Sequence, residues 1–258
     1  MLDKIVAKTE ERLKEAMKNK SLEELKLEVS KLEITKDFPF KKALKDPQIA
    51  IIAEVKKASP SKGLIAENFD YIEIAKEYES AGASAISVLT EPYFFQGSDE
   101  YLKEIAQNVS IPILRKDFVI DEYMVWEAKL LGASAVLLIV SILDIVQLKR
   151  YLDLAHDLGL SAIVETHDGN EIRTAMNVGA EIIGVNNRNL SDFTVDINNS
   201  IDLRRCVSDN IVFVSESGIK TKEDVTRLKE NNVDAVLIGE TLMKSDDKKS
   251  LISELKNG

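Results

Sequence analysis

The sequence predicts an α/β protein with the fold of a (β/α)8 TIM barrel and an N-terminal helical extension. From about residue 49 onwards, eight short apolar runs with strand character alternate with segments whose apolar residues recur at helical spacing. Several of these runs end in charged or amide side chains, although a parallel strand buried on both faces is normally apolar throughout. In a barrel the strand ends surround one mouth, so a shared functional site explains polar groups there.

The strand-like runs end about 20–35 residues apart, which is the usual length of one βα unit. Parallel pairing through crossover helices follows from this spacing. An open doubly wound sheet shares the alternation, but its first strand usually leads into a glycine-rich turn, and here Lys56-Lys57-Ala58-Ser59 follows. Gly-Ala-Ser-Ala precedes two strands and indicates a repetitive βα architecture. The predicted strands are 49–56, 84–90, 111–115, 134–140, 160–165, 181–186, 211–215 and 234–239.

Residues 1–46 form the predicted helical extension, packed on the barrel, and residues 47–258 form the barrel that carries the active site. The first helix has an apolar stripe between Ile5 and Met17. The segment 21–24, Ser-Leu-Glu-Glu, is typical of a capping box that starts a second helix. Phe38-Pro39-Phe40 ends the extension, and its rings are suited either to packing over a barrel end or to bordering a ligand pocket.

Composition and charge limit the classes of function. A chain of 258 residues suits one barrel-sized domain with an extension better than two small domains. The net charge of −10 argues against a nucleic-acid partner, but a local cluster of cations still permits a small anionic substrate. No apolar run reaches the roughly 18 residues of a membrane span, and the first residues lack the apolar core of a signal peptide. We therefore expect a cytoplasmic protein without a membrane partner.

Cysteine and histidine usage gives no sign of a metal or a cofactor. The single cysteine, Cys206, excludes an internal disulfide, and we expect it to be a small buried helix residue. His156 and His167 form no metal-ligand cluster, and we expect surface or supporting positions for both. The chain shows no zinc spacing, no Walker loop and no GxGxxG after a strand. The sequence thus predicts neither a metal nor a cofactor.

Strands one, three and five end in groups suited to proton transfer. Glu54 and Lys56 have the same parity along the first strand, so both are expected to point into the barrel as an ion pair. Lys116 follows Arg115, and partial enclosure is expected to lower its pKa so that it acts as an acid near neutral pH. Burial is expected to raise the pKa of Glu165. Each charge alone also fits an ordinary structural ion pair, but their combination favours an acid–base site.

Strands six to eight end in groups suited to anion binding. Asn186-Asn187-Arg188 offers amides and a guanidinium group that can clamp a carboxylate. Ser215-Glu216-Ser217-Gly218 and Leu237-Ile238-Gly239-Glu240 fall at strands seven and eight, where barrels commonly bind phosphate on backbone N–H groups. The carboxylate of Glu240 would repel a phosphate, so we expect only its backbone N–H to face the ligand and its side chain to point to solvent.

Five motifs in chain order resemble the indole-3-glycerol phosphate synthase family, and the resemblance covers essentially the whole chain. The first motif, Ile-Ile-Ala-Glu-Val-Lys-Lys-Ala-Ser-Pro-Ser-Lys-Gly at 51–63, is highly specific to that family. The others are Leu-Arg-Lys-Asp-Phe (114–118), Val-Glu-Thr-His (164–167), Gly-Val-Asn-Asn-Arg-Asn-Leu (184–190) and Ser-Glu-Ser-Gly-Ile (215–219).

The resemblance implies the reaction of that family, and with it the roles of the acid–base residues. The family converts 1-(2-carboxyphenylamino)-1-deoxyribulose 5-phosphate to indole-3-glycerol phosphate with release of CO2 and water. Lys116 would be the general acid that protonates the ketone oxygen, and Glu165 the acid/base of the later dehydration. Glu54 would hold Lys56 and contact substrate hydroxyls. The division of labour between Lys56 and Lys116 at each step is left open.

The resemblance also implies the substrate contacts. Asn186 and Ser217, which we place with the catalytic set, would position the substrate together with Arg188. Phe118 and Leu190 would pack against the anthranilate ring. The residues expected to bind substrate are Ser59, Phe118, Arg188, Leu190, Glu216, Gly218, Gly239 and Glu240.

Two other functions are consistent with the same fold class. Another phosphosugar barrel, such as phosphoribosylanthranilate isomerase, would be expected to use a cysteine and an aspartate. The Glu-x-Lys end of the first strand and the predicted helical position of Cys206 disfavour it. A non-catalytic barrel subunit should have lost charges at the strand ends, and none is lost here. Association with other tryptophan-pathway enzymes is left open.

Overall fold

The structure, a computed structural model, describes residues 1–45, 48–189 and 193–257. Eight parallel strands pair in chain order, and the last pairs with the first, so that the sheet closes into a barrel. The predicted (β/α)8 barrel is confirmed, and the open doubly wound sheet is excluded. The barrel strands are β1 (Ala50–Val55), β2 (Ala85–Leu89), β3 (Ile113–Lys116), β4 (Ala135–Ile139), β5 (Ser161–Thr166), β6 (Ile182–Asn186), β7 (Val212–Glu216) and β8 (Ala235–Ile238).

Helices surround the barrel, and many of them begin at an Asp, Ser or Thr side chain that accepts a hydrogen bond from a free backbone N–H. These caps satisfy first-turn N–H groups of helices that follow the barrel strands along the chain. The helices are α1 (Leu2–Asn19), α2 (Leu22–Val29), α3 (Pro39–Ala43), α4 (Tyr71–Ser80), α5 (Asp99–Asn108), α6 (Glu122–Leu130), α7 (Ile145–Asp157), α8 (Gly169–Asn177), α9 (Asn198–Arg204), α10 (Lys222–Glu230), α11 (Glu240–Met243) and α12 (Lys248–Lys256).

The repeated Gly-Ala-Ser-Ala sequence makes the same contact twice. Gly82 and Gly132 adopt φ values of 85° and 90°, in the left-handed region that glycine adopts without strain. The next serines, Ser84 and Ser134, each accept a 3.3 Å hydrogen bond from a backbone N–H at the start of the preceding strand. The repeat therefore fixes two neighbouring strand pairs at the end of the barrel opposite the mouth.

Phe40 closes that opposite end of the barrel. It is fully buried and packs with Leu44 against the inward-facing residues at the strand starts, among them Ala50 and Ile52. Phe38 instead meets the edge of the His156 ring, with centroids 5.6 Å apart. Of the two roles expected for this segment, packing over a barrel end is correct and bordering the ligand pocket is wrong.

The extension runs along the outside of the barrel from the mouth to the opposite end. Near the mouth, Arg12 of α1 donates two hydrogen bonds of 2.9 Å to the buried carboxylate of Asp117. Helix α2 packs on α6, and the backbone N–H of Lys41 donates to Ser161 Oγ at 3.3 Å. The proposed boundary between the two parts, at residue 46, lies outside the described residues and stays a prediction.

Two neighbouring cations at the end of β3 lie on opposite sides of the sheet. Lys116 points into the barrel, whereas Arg115 points outward and is fully buried under α5 and α6. There Arg115 forms ion pairs of 2.7 Å with Asp99 and Glu127 and donates to the Met124 carbonyl at 3.0 Å. Strand parity thus assigns one cation to the outer packing and the other to the mouth.

The expectation for Cys206 is wrong. This residue is exposed and lies in a turn just after α9, which ends at Arg204. Leu203 and Val207, which lie on either side of it, pack against the core instead. Among the described residues, no helix has the length and apolarity required to cross a membrane.

Candidate active site

A cavity of about 900 Å³ opens at the carboxyl ends of the strands. It gathers the polar strand ends that the sequence singles out into one mouth. The predicted residue Leu190 lies outside the described residues. The predicted site residues that line the cavity are Glu54, Lys56, Ser59, Lys116, Phe118, Glu165, Asn186, Arg188, Glu216, Ser217, Gly218, Gly239 and Glu240.

Glu54 and Lys56 form the expected ion pair inside the mouth. Glu54 Oε1 lies 2.5 Å from Lys56 Nζ, and both side chains are largely buried. The pair fits against Gly239, because a Cβ there would come within 2.3 Å of Glu54 Oε1 and 2.8 Å of Lys56 Nζ. Glycine at position 239 therefore leaves the space that the Glu54–Lys56 ion pair occupies.

Lys116 is surrounded by carboxylates. Its Nζ donates to Glu165 Oε2 at 3.2 Å and lies 3.4 Å from Glu216 Oε2. Burial lowers the pKa of Lys116, but Glu165, Glu216 and Glu54 together raise that pKa above its ordinary value. The expectation of a lowered pKa is therefore wrong, because several carboxylates outweigh desolvation. Lys116 is held as an ammonium group with a proton to donate.

Glu165 is held in its ionised form. Its Oε1 accepts a hydrogen bond of 3.1 Å from Asn186 Nδ2, and its Oε2 accepts one from Lys116. Burial raises the pKa of Glu165, but the charges of Lys116 and His167 and these hydrogen bonds lower it by more, so the pKa lies below the ordinary value. The predicted rise is wrong, since the neighbours stabilise the carboxylate. An ionised Glu165 is suited to accept a proton.

Glu216 differs from Glu165 because its pKa lies above the ordinary value of a glutamate. Burial raises the pKa of Glu216 to about 7, with Lys116 opposing the rise and Glu165 and Glu54 adding to it. Its Oε1 is buried without a hydrogen-bond partner in the described part of the chain and occupies the space left by Gly184, where a Cβ would come within 2.3 Å. This carboxyl group can therefore change its protonation near neutral pH.

The loops after β6 and β7 support one another. Asn186 Oδ1 accepts a hydrogen bond of 3.0 Å from the backbone N–H of Arg188. Asn187 turns away from the cavity and donates to Ser215 Oγ at 2.9 Å and to the Ser217 carbonyl at 3.0 Å. Ser217 has a φ of 69°, which is uncommon for a non-glycine residue and typical of a functional loop.

Glu240 differs from expectation in the position of its side chain. Its carboxylate lies between two lysines of the cavity wall, 2.7 Å from Lys244 Nζ and 3.6 Å from Lys62 Nζ. It therefore does not simply point to solvent. Burial raises the pKa of Glu240, but the hydrogen bond and charge of Lys244 lower it more. The two lysines offset the negative charge that made this turn a poor match to a phosphate.

Part of the cavity wall consists of apolar residues that no sequence motif or polar strand end marks as ligand contacts. Met1, Leu2 and Ile5 of α1 line the mouth, and Phe95 lies beside Phe118 with ring centroids 6.0 Å apart. Apolar residues in a helix or a loop carry no mark that distinguishes a ligand contact from core packing. These residues were therefore not predicted as part of the site.

Comparison with known proteins decides the family. The family model described as indole-3-glycerol phosphate synthase matches residues 2–255. The chain belongs to the indole-3-glycerol phosphate synthase family. It is 55% identical to the indole-3-glycerol phosphate synthase of Ruminiclostridium cellulolyticum over 99% of this chain and 98% of that protein. It is also 55% identical to that of Endomicrobium trichonymphae over the full length of both chains.

More distant solved structures share the fold alone. A 3-hexulose-6-phosphate synthase superposes with a TM-score of 0.66 at 12% identity, over 81% of this chain and 99% of that one. A thiamine phosphate pyrophosphorylase from Pyrococcus furiosus gives a TM-score of 0.62 at 18% identity, over 84% of this chain and 96% of that one. Both agree with the barrel architecture described above.

Membership of the indole-3-glycerol phosphate synthase family confirms the predicted reaction class. The activity is that of a carboxy-lyase of tryptophan biosynthesis, which forms indole-3-glycerol phosphate from a small phosphorylated substrate. The isomerase and the non-catalytic barrel subunit are set aside.

Proposed function

We propose that the cavity at the barrel mouth carries out ring closure, decarboxylation and dehydration of 1-(2-carboxyphenylamino)-1-deoxyribulose 5-phosphate with its own side chains. The observation that carries this proposal is the position of Lys116 within 3.4 Å of both Glu165 and Glu216. A proton donor, a proton acceptor and a carboxyl group of intermediate proton affinity thus meet in one enclosed volume. Acid–base chemistry of this kind needs no cofactor.

Ring closure requires a proton at the ketone oxygen. Lys116 supplies it while the aromatic carbon that bears the carboxylate attacks the ketone carbon. The attack leaves an iminium carbon beside the carboxylate, and this centre accepts the electron pair when CO2 departs. The raised pKa of Lys116 keeps the donor charged until the developing alkoxide takes its proton.

Dehydration requires a base and an acid. Glu165 removes the proton from carbon, because its hydrogen bonds from Asn186 and Lys116 keep it ionised and fixed in direction. The hydroxyl group leaves as water once an ammonium group protonates it. Lys56 and Lys116, which lie beside the carboxylates of the mouth, are the two lysines proposed for this step, and Glu54 holds the first of them in place.

Substrate binding divides the cavity by charge and polarity. Ser59 and the backbone N–H groups of residues 218, 239 and 240 form the proposed phosphate site, and Lys62 and Lys244 offset the charge of Glu240 there. Their placement near β7 and β8 supports the assignment, since barrels commonly bind phosphate at these strands.

The other end of the cavity is proposed to hold the aromatic acid. Phe118, beside Phe95, faces the ring, and Arg188 pairs with the substrate carboxylate. Ser217 positions the substrate, and Leu190 is the further ring contact expected from the sequence.

We also propose a cytoplasmic location without nucleic-acid or membrane partners, and the net charge of −10 supports the absence of a nucleic-acid partner. Association with other enzymes of tryptophan biosynthesis is a further hypothesis. Size-exclusion chromatography of the mixed enzymes tests it, and independent elution would contradict it.

The roles are tested by incubating the protein with the carboxyphenylamino substrate and following indole fluorescence. Lys116→Ala is expected to abolish ring closure while circular dichroism remains that of a folded barrel. Lys116→Met, which keeps most of the side-chain volume, repeats the test without a cavity. Lys8→Ala, at an exposed lysine of α1, serves as the control and should turn over normally. Near-normal turnover of both Lys116 variants would refute the assigned role.

A further inference from the structure

His167 lies beside Glu165 but has no part in the roles above. It follows β5 with the same parity as Glu165, and its Nε2 lies 3.5 Å from Glu165 Oε1. On the other side of the ring, Nδ1 lies 3.1 Å from Glu171 Oε2 of α8. Nε2 is buried and has no hydrogen-bond partner among the residues that the structure describes. An imidazole between two carboxylates, with one nitrogen facing the proposed base, is arranged for proton exchange.

The contacts of Glu171 settle which ring nitrogen exchanges the proton. Glu171 Oε2 also accepts a 2.7 Å hydrogen bond from the backbone N–H of His167, so this carboxylate acts as an acceptor. Nδ1 therefore carries a hydrogen in both the neutral and the charged ring. The proton that His167 gains or loses is the one on Nε2, which faces Glu165.

The reaction needs such a proton. The ketone oxygen takes up one proton and the departing hydroxyl takes up another, whereas the base recovers only one from carbon. The substrate carboxylate leaves as neutral CO2, so each turnover consumes one proton. The side chains of Lys116 and Glu165 are only 15% and 3% exposed. A bound substrate would cover them further, so a nearby store of one proton is useful.

We propose that His167 is this store, a positioning and proton-supplying residue that acts through Glu165; the proposal rests on the function proposed above. The imidazolium gives its Nε2 proton to Glu165 Oε1. The protonated Glu165 carboxyl group then rotates about its Cγ–Cδ bond and passes that same proton to the Lys116 amine, which has just protonated the substrate. His167 is left neutral with a hydrogen on Nδ1. It regains its proton through the same contacts after the product has left the open mouth.

The surrounding carboxylates favour the protonated form of His167. Burial lowers the pKa of His167, but Glu171, Glu165 and Glu216 raise that pKa above its ordinary value. These carboxylates come from α8, β5 and β7. The short 3-10 turn at Val140–Ile142, which also packs against β5 and α8, contributes no charged residue. As pH rises through this pKa the store empties, so kcat should fall on the alkaline side.

His167→Ala tests the store through kcat, its pH profile and chemical rescue. We expect kcat to fall at least about tenfold with little change in KM, which is less than the roughly 10²–10⁴-fold that a direct proton donor contributes. Imidazole in solution should restore most of the rate. The fall of kcat at alkaline pH that is due to His167 should disappear from the pH profile. His156→Asn, which changes the histidine of α7, should leave kcat unchanged with or without imidazole.

Glu171→Gln gives a second test if His167→Ala does not fold. The amide keeps an acceptor for the backbone N–H but removes the negative charge, so the alkaline limb should move to lower pH. An unchanged kcat in His167→Ala, a loss that imidazole does not restore, or an unmoved limb in Glu171→Gln would overturn the store. Glu165→Gln separates the two proposals. If it turns over normally, the role of Glu165 fails, whereas a slow Glu165→Gln beside a normal His167→Ala removes only the store.

Discussion

Two glycines at the mouth shape the acidic cluster by leaving space. Gly184 lies where Glu216 Oε1 must fit, and Gly239 lies where Glu54 and Lys56 meet. Any side chain at either position would occupy the volume of a charged group, which cannot move far inside the barrel. The position of the charges therefore depends on residues that have no functional group of their own.

Gly184→Ala tests this dependence. The new Cβ would lie 2.3 Å from Glu216 Oε1 and 2.8 Å from Ile163 Cγ2, so the carboxylate must move. We expect a loss of stability of about 1–3 kcal/mol, as for other overpacked sites, and a lower kcat because Lys116 loses a partner. Gly169→Ala is the matched control, since among the described residues no atom beyond its chain neighbours and its own helix backbone lies within 4 Å of the added Cβ. Equal kcat values for the two variants would contradict the argument.

At the scale of elements, α1 forms part of the wall of the candidate active site. The helix supplies apolar wall residues to the cavity, and Arg12 anchors it to Asp117, the neighbour of Lys116. Burial raises the pKa of Asp117, but Arg12 and Arg115 lower it below its ordinary value. The anchor therefore keeps a buried carboxylate ionised directly behind the proposed general acid.

Arg12→Ala is expected to weaken both stability and substrate binding. Asp117 has no exposed side-chain surface, so losing this cation leaves a buried charge poorly compensated, at a cost of about 3 kcal/mol. A looser α1 should also raise KM more than it lowers kcat. Chemical denaturation and steady-state kinetics measure the two effects. Lys8→Ala, in the exposed pair with Glu11 of the same helix, should leave stability almost unchanged, because solvent screens such a pair. Similar losses in both variants would contradict the assignment.

At the scale of the whole molecule, the two ends of the barrel have separate tasks. The mouth carries the charges, whereas the opposite end is closed by apolar packing around Phe40. Phe40 packs at the strand starts, whereas the proposed reacting groups lie at the strand ends. Stability and activity should therefore respond to different substitutions.

Phe40→Ala examines that separation. Removing a fully buried ring should lower the free energy of unfolding by about 3–5 kcal/mol, measured by chemical denaturation. The kcat and KM of the folded variant should stay within about twofold of the parent values, because the mouth is unchanged. A large change in KM at a temperature where the variant is folded would show that the two ends are coupled.

The sequence predicts the barrel and most of the lining of its mouth because both depend on local patterns. Strand parity correctly puts Glu54 and Lys56 on one side of the sheet, and the end of β5 correctly locates Glu165. The pKa directions of Lys116 and Glu165 were wrong because they depend on neighbours from β1, β6 and β7, whose distances no single strand reveals. The wall contributed by α1 was missed for the same reason, since it depends on how the extension folds over the barrel.

The outward Arg115 and inward Lys116 have a consequence for how this site tolerates insertions and deletions. The face on which each cation lies depends on the register of β3, because a shift by one residue moves every side chain of the strand to the other face of the sheet. A shift in one direction would put the Arg115 guanidinium group in the place of Lys116, and a shift in the other direction would put the Lys116 ammonium group among Asp99 and Glu127. The register of each barrel strand is fixed by its pairing with two neighbouring strands. Single-residue indels in this wall are thus expected to be far more harmful than substitutions.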